Sequence, residues 1–326
     1  MADEKIIDGR AIAREIKDAV RAAAVEFRAA HGRPPKLAAI QVGECSASQV
    51  YTNMQAKNAA ECEMDYDLRI VPADVDDAKL LLEIGSLNDD SAVDGIILQM
   101  PLPPHFDASV AQAAISSRKD VEGVAYDTMG RIFFGCNLIA PCTPMAVMEI
   151  LHRFCEPLAG KEVVLIGASE IVGKPLAMLM LQRHGKMPTL TICSSRTRDL
   201  SAHTLNADIV ITAAGVSQIR WRNYKNGGCV APAPDLNPLV CGDMLKDGAI
   251  VIDVATNRVP AGFDMSGQPR KTADGKLDMH TVGDVDFESA LRKVSKITPV
   301  PGGVGPVTVA ILLRNTLACA ENNMNA

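Results

Sequence analysis

The sequence carries nine cysteines, at positions 45, 62, 136, 142, 155, 193, 229, 241 and 319, and six histidines, yet it has no C-x-x-C pair and no H-x-x-x-H spacing. Structural zinc sites and dithiol redox centres rely on such spacings, so no metal site is expected. The cysteines, set mostly among apolar neighbours, read as buried free thiols. No apolar run is long enough for a bilayer, and the opening MADEKIIDGR puts acidic residues where a secretory leader is basic and then apolar. A cytoplasmic protein without membrane association is expected. Positive charge is not in excess: 33 Lys and Arg against 39 Asp and Glu leave a net charge of −6. That balance argues against nucleic acid as a main partner but leaves room for a local basic pocket that takes a small phosphorylated ligand. No internal repeat or low-complexity tract is evident.

What is present is a globular composition, 48% hydrophobic and 22% charged. At 326 residues a doubly wound α/β chain usually divides into two lobes. The first half alternates a capped helix from Asp8, the apolar run KLAAIQVG, the helix SQVYTNMQAKNAAE, then DLRIV, the helix DDAKLLLEIGSLN and DGIILQMPLP. Short β-rich runs separated by helices predict parallel strands joined by crossovers. The stripe PMAVMEILHRF predicts a long helix leaving this lobe, and KEVVLIGASEIVGKPLAMLML, PTLTICSS, ADIVITAAG and GAIVIDVA then form a second βαβ series. The expected domains are 1–155 and 156–305, with a C-terminal helix, 306–326, completing the first. Segments 221–238 and 260–280 are rich in Gly, Pro and polar residues, lack periodicity and read as surface loops.

Tyr51 and Gln55 fall one turn apart on the predicted helix, so both side chains can enter one space. Neither a phenol nor an amide titrates near neutral pH, so the pair suits positioning a ligand better than moving protons. In VVLIGASEIVGKP, Gly167 ends an apolar strand and Gly173 opens a helix, where backbone N–H groups and the positive helix end can receive phosphate. Ser169 stands at the second glycine position of G-x-G-x-x-G and the last glycine comes one residue late, so the motif alone fits either a dinucleotide site or a plain tight turn. The next strand ends in CSSRTR. Ser194, Ser195, Arg196 and Arg198 suit a ribose 2′-phosphate, which favours NADP over NAD; a solvated basic turn is the alternative. Gln99 ends a strand ahead of prolines, Asp120 and Glu122 fall in a predicted loop, and PVPGGVGPVT sets Gly302, Gly303 and Gly305 where backbone can approach a flat ligand.

Together, KIIDGRAIA, ASQVY, DGIILQMPLP, KDVEG, PCTP, GASEIVGKP, VIDV, VGDVDF and TPVPGGVGPVT resemble the bifunctional methylenetetrahydrofolate dehydrogenase/methenyltetrahydrofolate cyclohydrolase family of the bacterial FolD type, almost from end to end. The resemblance implies a two-lobed α/β fold, an N-terminal α/β catalytic lobe plus a Rossmann-like NAD(P)-binding lobe. It also implies tetrahydrofolate one-carbon derivatives as substrates and a homodimer. Carried over by position, it implies Tyr51, Gln55 and Gln99 as the catalytic set, with Tyr51 against the folate ring, Glu122 at the pterin-holding position, and Pro301, Gly302 and Gly303 walling the pterin pocket. Gly167, Ala168, Ser169, Ile171, Val172 and Gly173 would lie along the dinucleotide, Ser195 and Arg196 near the adenosine ribose, and Ala214, Gly215, Thr256 and Thr308 near the ribose and nicotinamide.

Three positions depart from the family pattern. Tyr-x-x-x-Lys has Gln55 at the lysine position, and Lys57 cannot replace it, because two residues along a helix is a rotation of about 200°. K-D-V-D-G is K-D-V-E-G here, which puts Glu122 where an aspartate is usual, and Ala255 replaces the glycine that usually follows VIDV. Hydride transfer needs two aligned rings and no proton removal, which Gln55 permits, whereas hydrolysis of a methenyl cation needs a proton relay that an amide cannot join. The expected activity is NADP-dependent oxidation of methylenetetrahydrofolate with weak or absent cyclohydrolase. Full bifunctionality, a modified pterin carrier and a catalytically silent ligand-binding homologue are the alternatives.

Overall fold

The computed structural model describes residues 3–43, 46–136, 138–182, 187–227 and 234–324, with the backbone alone described over 46–51. Contacts divide the chain into two compact units, one of Ala11–Ala146 with Val307–Ala326 and the other of Met1–Arg10 with Val147–Pro306. The division falls at Val147, ahead of the expected 155/156 boundary. It lies inside a helix whose apolar stripe runs on unbroken, so nothing in the local pattern marks it.

Helix α1 (Gly9–His31) opens where the Asp8 carboxylate accepts the Arg10 N–H at 2.9 Å. Next come β1 (Lys36–Val42), α2 (Ser46–Glu61), β2 (Asp65–Val71), α3 (Asp77–Asp89) and β3 (Gly95–Leu98), and the strands form a parallel sheet in the order β2-β1-β3. One face of that sheet packs Ala38, Ile40, Ile96 and Leu98 against Leu80, Ile84 and Leu87 of α3, whose first turn is capped by Asp76. Strand alternation and register put Leu37, Gln41 and Tyr66 on the other face, which also receives Gln99 just past β3. The short helices α4 (Ala108–Ala113) and α5 (Tyr126–Phe134) precede α6 (Cys142–Phe154).

The second sheet is built from β4 (Glu162–Ile166), α7 (Gly173–Leu181), β5 (Thr189–Cys193), α8 (Ser201–Thr204), β6 (Ile209–Thr212), α9 (Val216–Asn226) and β7 (Ile250–Asp253). The antiparallel pair β8 (Asn257–Pro260) and β9 (Met279–Val282), then α10 (Phe287–Leu291), β10 (Lys296–Ile297) and α11 (Val304–Met324), complete the chain. The strand order β10-β7-β6-β4-β5 is parallel throughout. Its inner strands β7, β6 and β4 are nearly continuous in buried apolar residues, as strands covered on both faces are, whereas the edge strand β5 is partly exposed. The chain steps from β4 outward to β5 and then returns to the far side of β4 as β6. The strand order therefore reverses at β4 and β6, and ligands of doubly wound sheets bind outside the carboxyl ends of strands at such a point.

The loop reading of 221–238 and 260–280 is corrected. Residues 221–226 finish α9, and 257–260 and 279–282 pair as a hairpin whose tip holds two smaller turns closed by the bridges Phe263 to Pro269 and Lys271 to Leu277; residues 228–233 lie outside the described residues. Trp221 and Tyr224 of α9 stack around Phe263, with ring centroids 6.1 Å and 5.7 Å from it, and the Tyr224 hydroxyl donates to the Gly267 carbonyl at 2.6 Å. Each segment has too few apolar residues to show a period: Trp221 is buried and packs with Phe263, while Met265 and Leu277 stay exposed. No helix among the described residues is long and apolar enough to cross a membrane.

Candidate active site

Helix α2 carries Gln55 to a position where the residue is only 2% exposed. Its Oε1 accepts two hydrogen bonds, from the Tyr66 hydroxyl at 3.0 Å and from Gln99 Nε2 at 2.8 Å. Its Nε2 is buried and has no partner among the described residues. On the same sheet face as Gln99, Gln41 near the end of β1 donates from Nε2 to the Gly43 carbonyl at 2.8 Å, and its buried Oε1 has no partner among the described residues. An unsatisfied buried polar atom costs about 1–3 kcal/mol, so two of them in one unit mark a place built to be completed by something else. Tyr51 sits on the same helix one turn before Gln55, but its side chain lies outside the described residues. Tyr66 and Gln41 were missed by sequence reasoning. The signal for Gln41 is a lone amide in an otherwise apolar strand run; Tyr66, in a strand that alternates charged and apolar residues, gave none.

Glu122 stands in a turn organised by Asp120. The Asp120 carboxylate, 1% exposed as a residue, accepts the N–H groups of Gly123 at 2.9 Å and Ala125 at 2.8 Å and the Thr128 hydroxyl at 3.0 Å. Gly123 has φ +69°, and a Cβ there would lie 2.5 Å from the Ala140 carbonyl carbon, so the turn needs glycine twice over. On α11, Asn315 Nδ2 donates to the carbonyls of Val121 at 2.9 Å and Ala140 at 3.2 Å, tying both sides of the turn. Glu122 keeps part of its surface open. Its carboxyl is pushed up to about 8, first by burial and second by the nearby Asp120 charge. The native protein therefore holds a proton that the unfolded chain releases above its ordinary value of 4.5, and this part of the stability is lost as pH rises toward 8. Glu122→Gln should unfold like wild type near pH 4.5 and be more stable by about 1 kcal/mol at pH 8 and above, the open side tempering the gain. Thermal unfolding across that range checks it, and parallel curves would refute the assignment.

In the second sheet, Gly167 at the end of β4 has φ +120°, and a Cβ there would meet the Ala213 carbonyl oxygen at 2.5 Å. A Cβ on Gly173 would lie 2.1 Å from the Gly167 oxygen, so the glycines let strand and helix close up at the reversal point. Ser169 Oγ accepts from the Val172 and Gly173 N–H groups at 3.2 and 3.4 Å, filling the second glycine's place with a side-chain cap. Ala168 lies between Gly167 and Ser169, and Ile171 is 51% exposed. At the end of β5, Ser194 Oγ accepts the Arg196 N–H at 3.2 Å, which shapes a turn with Ser195 and Arg196 exposed. This arrangement fits a dinucleotide phosphate and ribose.

After β6, the N–H groups of Ala214 and Gly215 both donate to Asp284 Oδ2 at 2.9 Å, and that of Val216 donates to Oδ1 at 3.3 Å. Asn257 Nδ2 adds a bond to the same carboxylate at 3.1 Å, and Asn257 Oδ1 accepts the Gln218 N–H. The positive end of α9 is thus already occupied by a buried carboxylate. Beside it, Asp253 is pushed up to about 6, chiefly by burial, although it accepts bonds from Thr212, Ala255, Asp284 and Val285. Thr256 is exposed, and Thr308 lies on α11. Tyr51, Gln55, Gln99, Glu122 and Thr308 belong to one compact unit, and Gly167–Gly173, Ser195, Arg196, Ala214, Gly215, Thr256 and Pro301–Gly303 to the other.

A glycine-pinched, doubly wound sheet joined to a unit with a buried amide cluster defines a two-domain α/β protein with a Rossmann-like nucleotide-binding domain. Residues 7–122 match the tetrahydrofolate dehydrogenase/cyclohydrolase catalytic domain, and residues 141–233 and 225–324 match the NAD(P)-binding domain of the same family. The chain belongs to the tetrahydrofolate dehydrogenase/cyclohydrolase family. It is 43% identical over 320 residues to the bifunctional protein FolD of Bordetella petrii, covering 97% of this chain and 94% of that one. It is 42% identical over 319 residues to FolD of Erythrobacter litoralis, covering 98% and 96%. Among solved structures, the Trypanosoma brucei methylenetetrahydrofolate dehydrogenase-cyclohydrolase complexed with NADP and an inhibitor superposes with a TM-score of 0.82 at 34% identity, covering 98% of both chains. The Bombyx mori methylenetetrahydrofolate dehydrogenase gives 0.81 at 33%, covering 99% of both.

Proposed function

We propose that the chain oxidises 5,10-methylenetetrahydrofolate to methenyltetrahydrofolate with NADP as hydride acceptor, as a cytoplasmic homodimer, and that its cyclohydrolase activity is weak or absent. The observation that carries this reading is the Gln55 amide, buried, bonded to the neutral groups Tyr66 and Gln99, and standing where the family pattern has lysine. In the oxidation, the C–H bond of the one-carbon bridge breaks with its electron pair leaving as hydride, and the adjacent folate nitrogen lone pair closes the C=N⁺ bond of the product. NADP supplies the acceptor for that hydride. The protein's part is alignment: Tyr51, Gln99 and Glu122 with the Pro301–Gly303 backbone on the folate, and Gly167–Gly173, Ser195, Arg196, Ala214, Gly215, Thr256 and Thr308 on the cofactor. Gln55 stays neutral beside the product cation, where a protonated amine would repel it.

Hydrolysis of that cation requires water to add and protons to be relayed. Loss of one general acid/base group typically costs about 10²–10⁴-fold, and an amide cannot stand in for it. The likeness to enzymes named bifunctional supports the folate substrate, and the NADP complex of the trypanosomal relative supports the cofactor. Dehydrogenase assays with NADP and NAD in parallel, together with the decay of added methenyltetrahydrofolate, test the reading; rapid enzyme-dependent hydrolysis would sink the monofunctional claim. Arg196→Ala should lower kcat/KM for NADP by about 10- to 100-fold and leave that for NAD nearly unchanged, because charge-assisted bonds to a phosphate contribute about 1.5–3 kcal/mol. Equal losses with both cofactors would remove Arg196 from the 2′-phosphate.

A further inference from the structure

We infer that Tyr66 is a positioning residue of the folate site: its hydroxyl clamps the Gln55 amide so that the Gln55 NH₂ is presented to a hydrogen-bond acceptor on the bound pterin. The inference rests on the folate reading above. Tyr66 enters β2 opposite Leu37, whereas Gln99 follows β3 and donates its own N–H to the Ile40 carbonyl at 2.8 Å. Three to four residues of strand separate those levels, roughly 10–13 Å at 3.3 Å per residue. The long phenol and the Gln99 amide therefore reach Gln55 from different levels of one sheet face, and meet on the same oxygen at 3.0 and 2.8 Å.

Two donors use both acceptor sites of an amide oxygen. With the Gln99 NH₂ facing Gln55, turning the Gln55 amide over alone would bring its NH₂ against the Gln99 NH₂. Tyr66 removes the remaining freedom of the long side chain. What is left is a buried NH₂ with no partner among the described residues, on the helix that also carries Tyr51. A donor held this way costs stability in the free protein and returns it when an acceptor arrives. The amide can be fixed in this way only because Tyr66, which lies on a different element and on no family motif quoted above, supplies the second bond.

The test is a double-mutant cycle on the full chain with Tyr66→Phe, Gln55→Met and the pair. Tetrahydrofolate binding is followed by calorimetry, and turnover by methylenetetrahydrofolate-dependent NADP reduction. Tyr66→Phe alone should weaken tetrahydrofolate binding and raise KM for the folate about 3- to 10-fold, with NADP affinity and the unfolding midpoint nearly unchanged. In the Gln55→Met background the same change should add nothing. Wild-type binding in Tyr66→Phe, or an equal loss in both backgrounds, overturns the clamp. A wild type that binds tetrahydrofolate but turns nothing over refutes the proposed activity alone, and the four binding constants still decide on Tyr66. A wild type that does not bind tetrahydrofolate overturns both.

Discussion

Gln55→Lys is expected to raise enzyme-dependent hydrolysis of methenyltetrahydrofolate by about 10²-fold or more, within the 10²–10⁴ range that one general acid/base group contributes. The site favours this outcome. Gln55 is 2% exposed, and the side chains bonded to it are a phenol and an amide. A lysine there has no carboxylate bonded to it and is desolvated, so its pKa falls toward neutrality, where an amine can both take and give a proton. The Tyr66 hydroxyl and the Gln99 carbonyl oxygen can each accept from it after small rotations, which keeps the amine near the reacting carbon. The same change should slow the dehydrogenase several-fold, since the protonated fraction repels the product cation. It should also cost about 1–3 kcal/mol of stability, because a buried ammonium replaces a buried amide. Hydrolysis is read from methenyltetrahydrofolate decay, with NADP binding and thermal unfolding as controls for folding. A folded variant that oxidises methylenetetrahydrofolate but hydrolyses no faster than wild type would show that Gln55 does not limit the second reaction.

Much of this architecture is legible in sequence, and the illegible part has a common cause. The strands of both sheets are apolar, β-rich runs between helical patterns, and the tight turn at Gly167 and Gly173 follows from where those runs end. Gln55, Glu122 and Arg196 were visible because each sits inside a short motif. Asp284 was not visible as a group with a role, although VGDVDF was. Its partners Ala214 and Gly215 are 70 and 69 residues away, after β6, whereas Asp284 follows β9 of the separate hairpin, and only tertiary packing brings the two segments together. Tyr66 has the same difficulty at shorter range: its bond to Gln55 depends on how α2 lies over β2. The helix–hairpin module of Trp221, Tyr224 and Phe263 was hidden because each half lacks the apolar period that would reveal it alone.

Gly9→Ala should be among the most damaging single-methyl additions in the chain, through the loop that walls the proposed pterin pocket. The Ile7 N–H donates to the Ile297 carbonyl at 2.8 Å, so the N-terminal segment runs beside β10 and delivers the start of α1 against the PGGVG backbone. A Cβ on Gly9 would lie 1.7 Å from the Gly303 carbonyl oxygen, 2.5 Å from its carbon and 2.8 Å from the Gly302 oxygen. All three are backbone atoms, so no side chain can rotate away. The loop cannot simply retreat: Gly303 donates to the Pro299 carbonyl at 2.8 Å, its own missing Cβ leaves only 2.6 Å to that oxygen, and Gly302 is fixed at φ +110°. Relief requires a backbone shift on the order of 1 Å. Overpacking of this kind costs about 1–3 kcal/mol or more, equivalent to roughly 3–10 °C in unfolding midpoint, and a 1 Å displacement of positioning groups can cost about 10²-fold in rate. The expected signature is a kcat/KM for methylenetetrahydrofolate lowered about 10²-fold with NADP affinity retained, because the Gly167 and Ser195 turns do not touch Gly9. Gly85→Ala is the matched control: nothing lies within 4 Å of its Cβ position, so it should be neutral or stabilise α3 by about 0.5–1 kcal/mol. If Gly9→Ala behaves like Gly85→Ala in both unfolding and turnover, the PGGVG backbone is free to move, and its placement does not set the folate geometry.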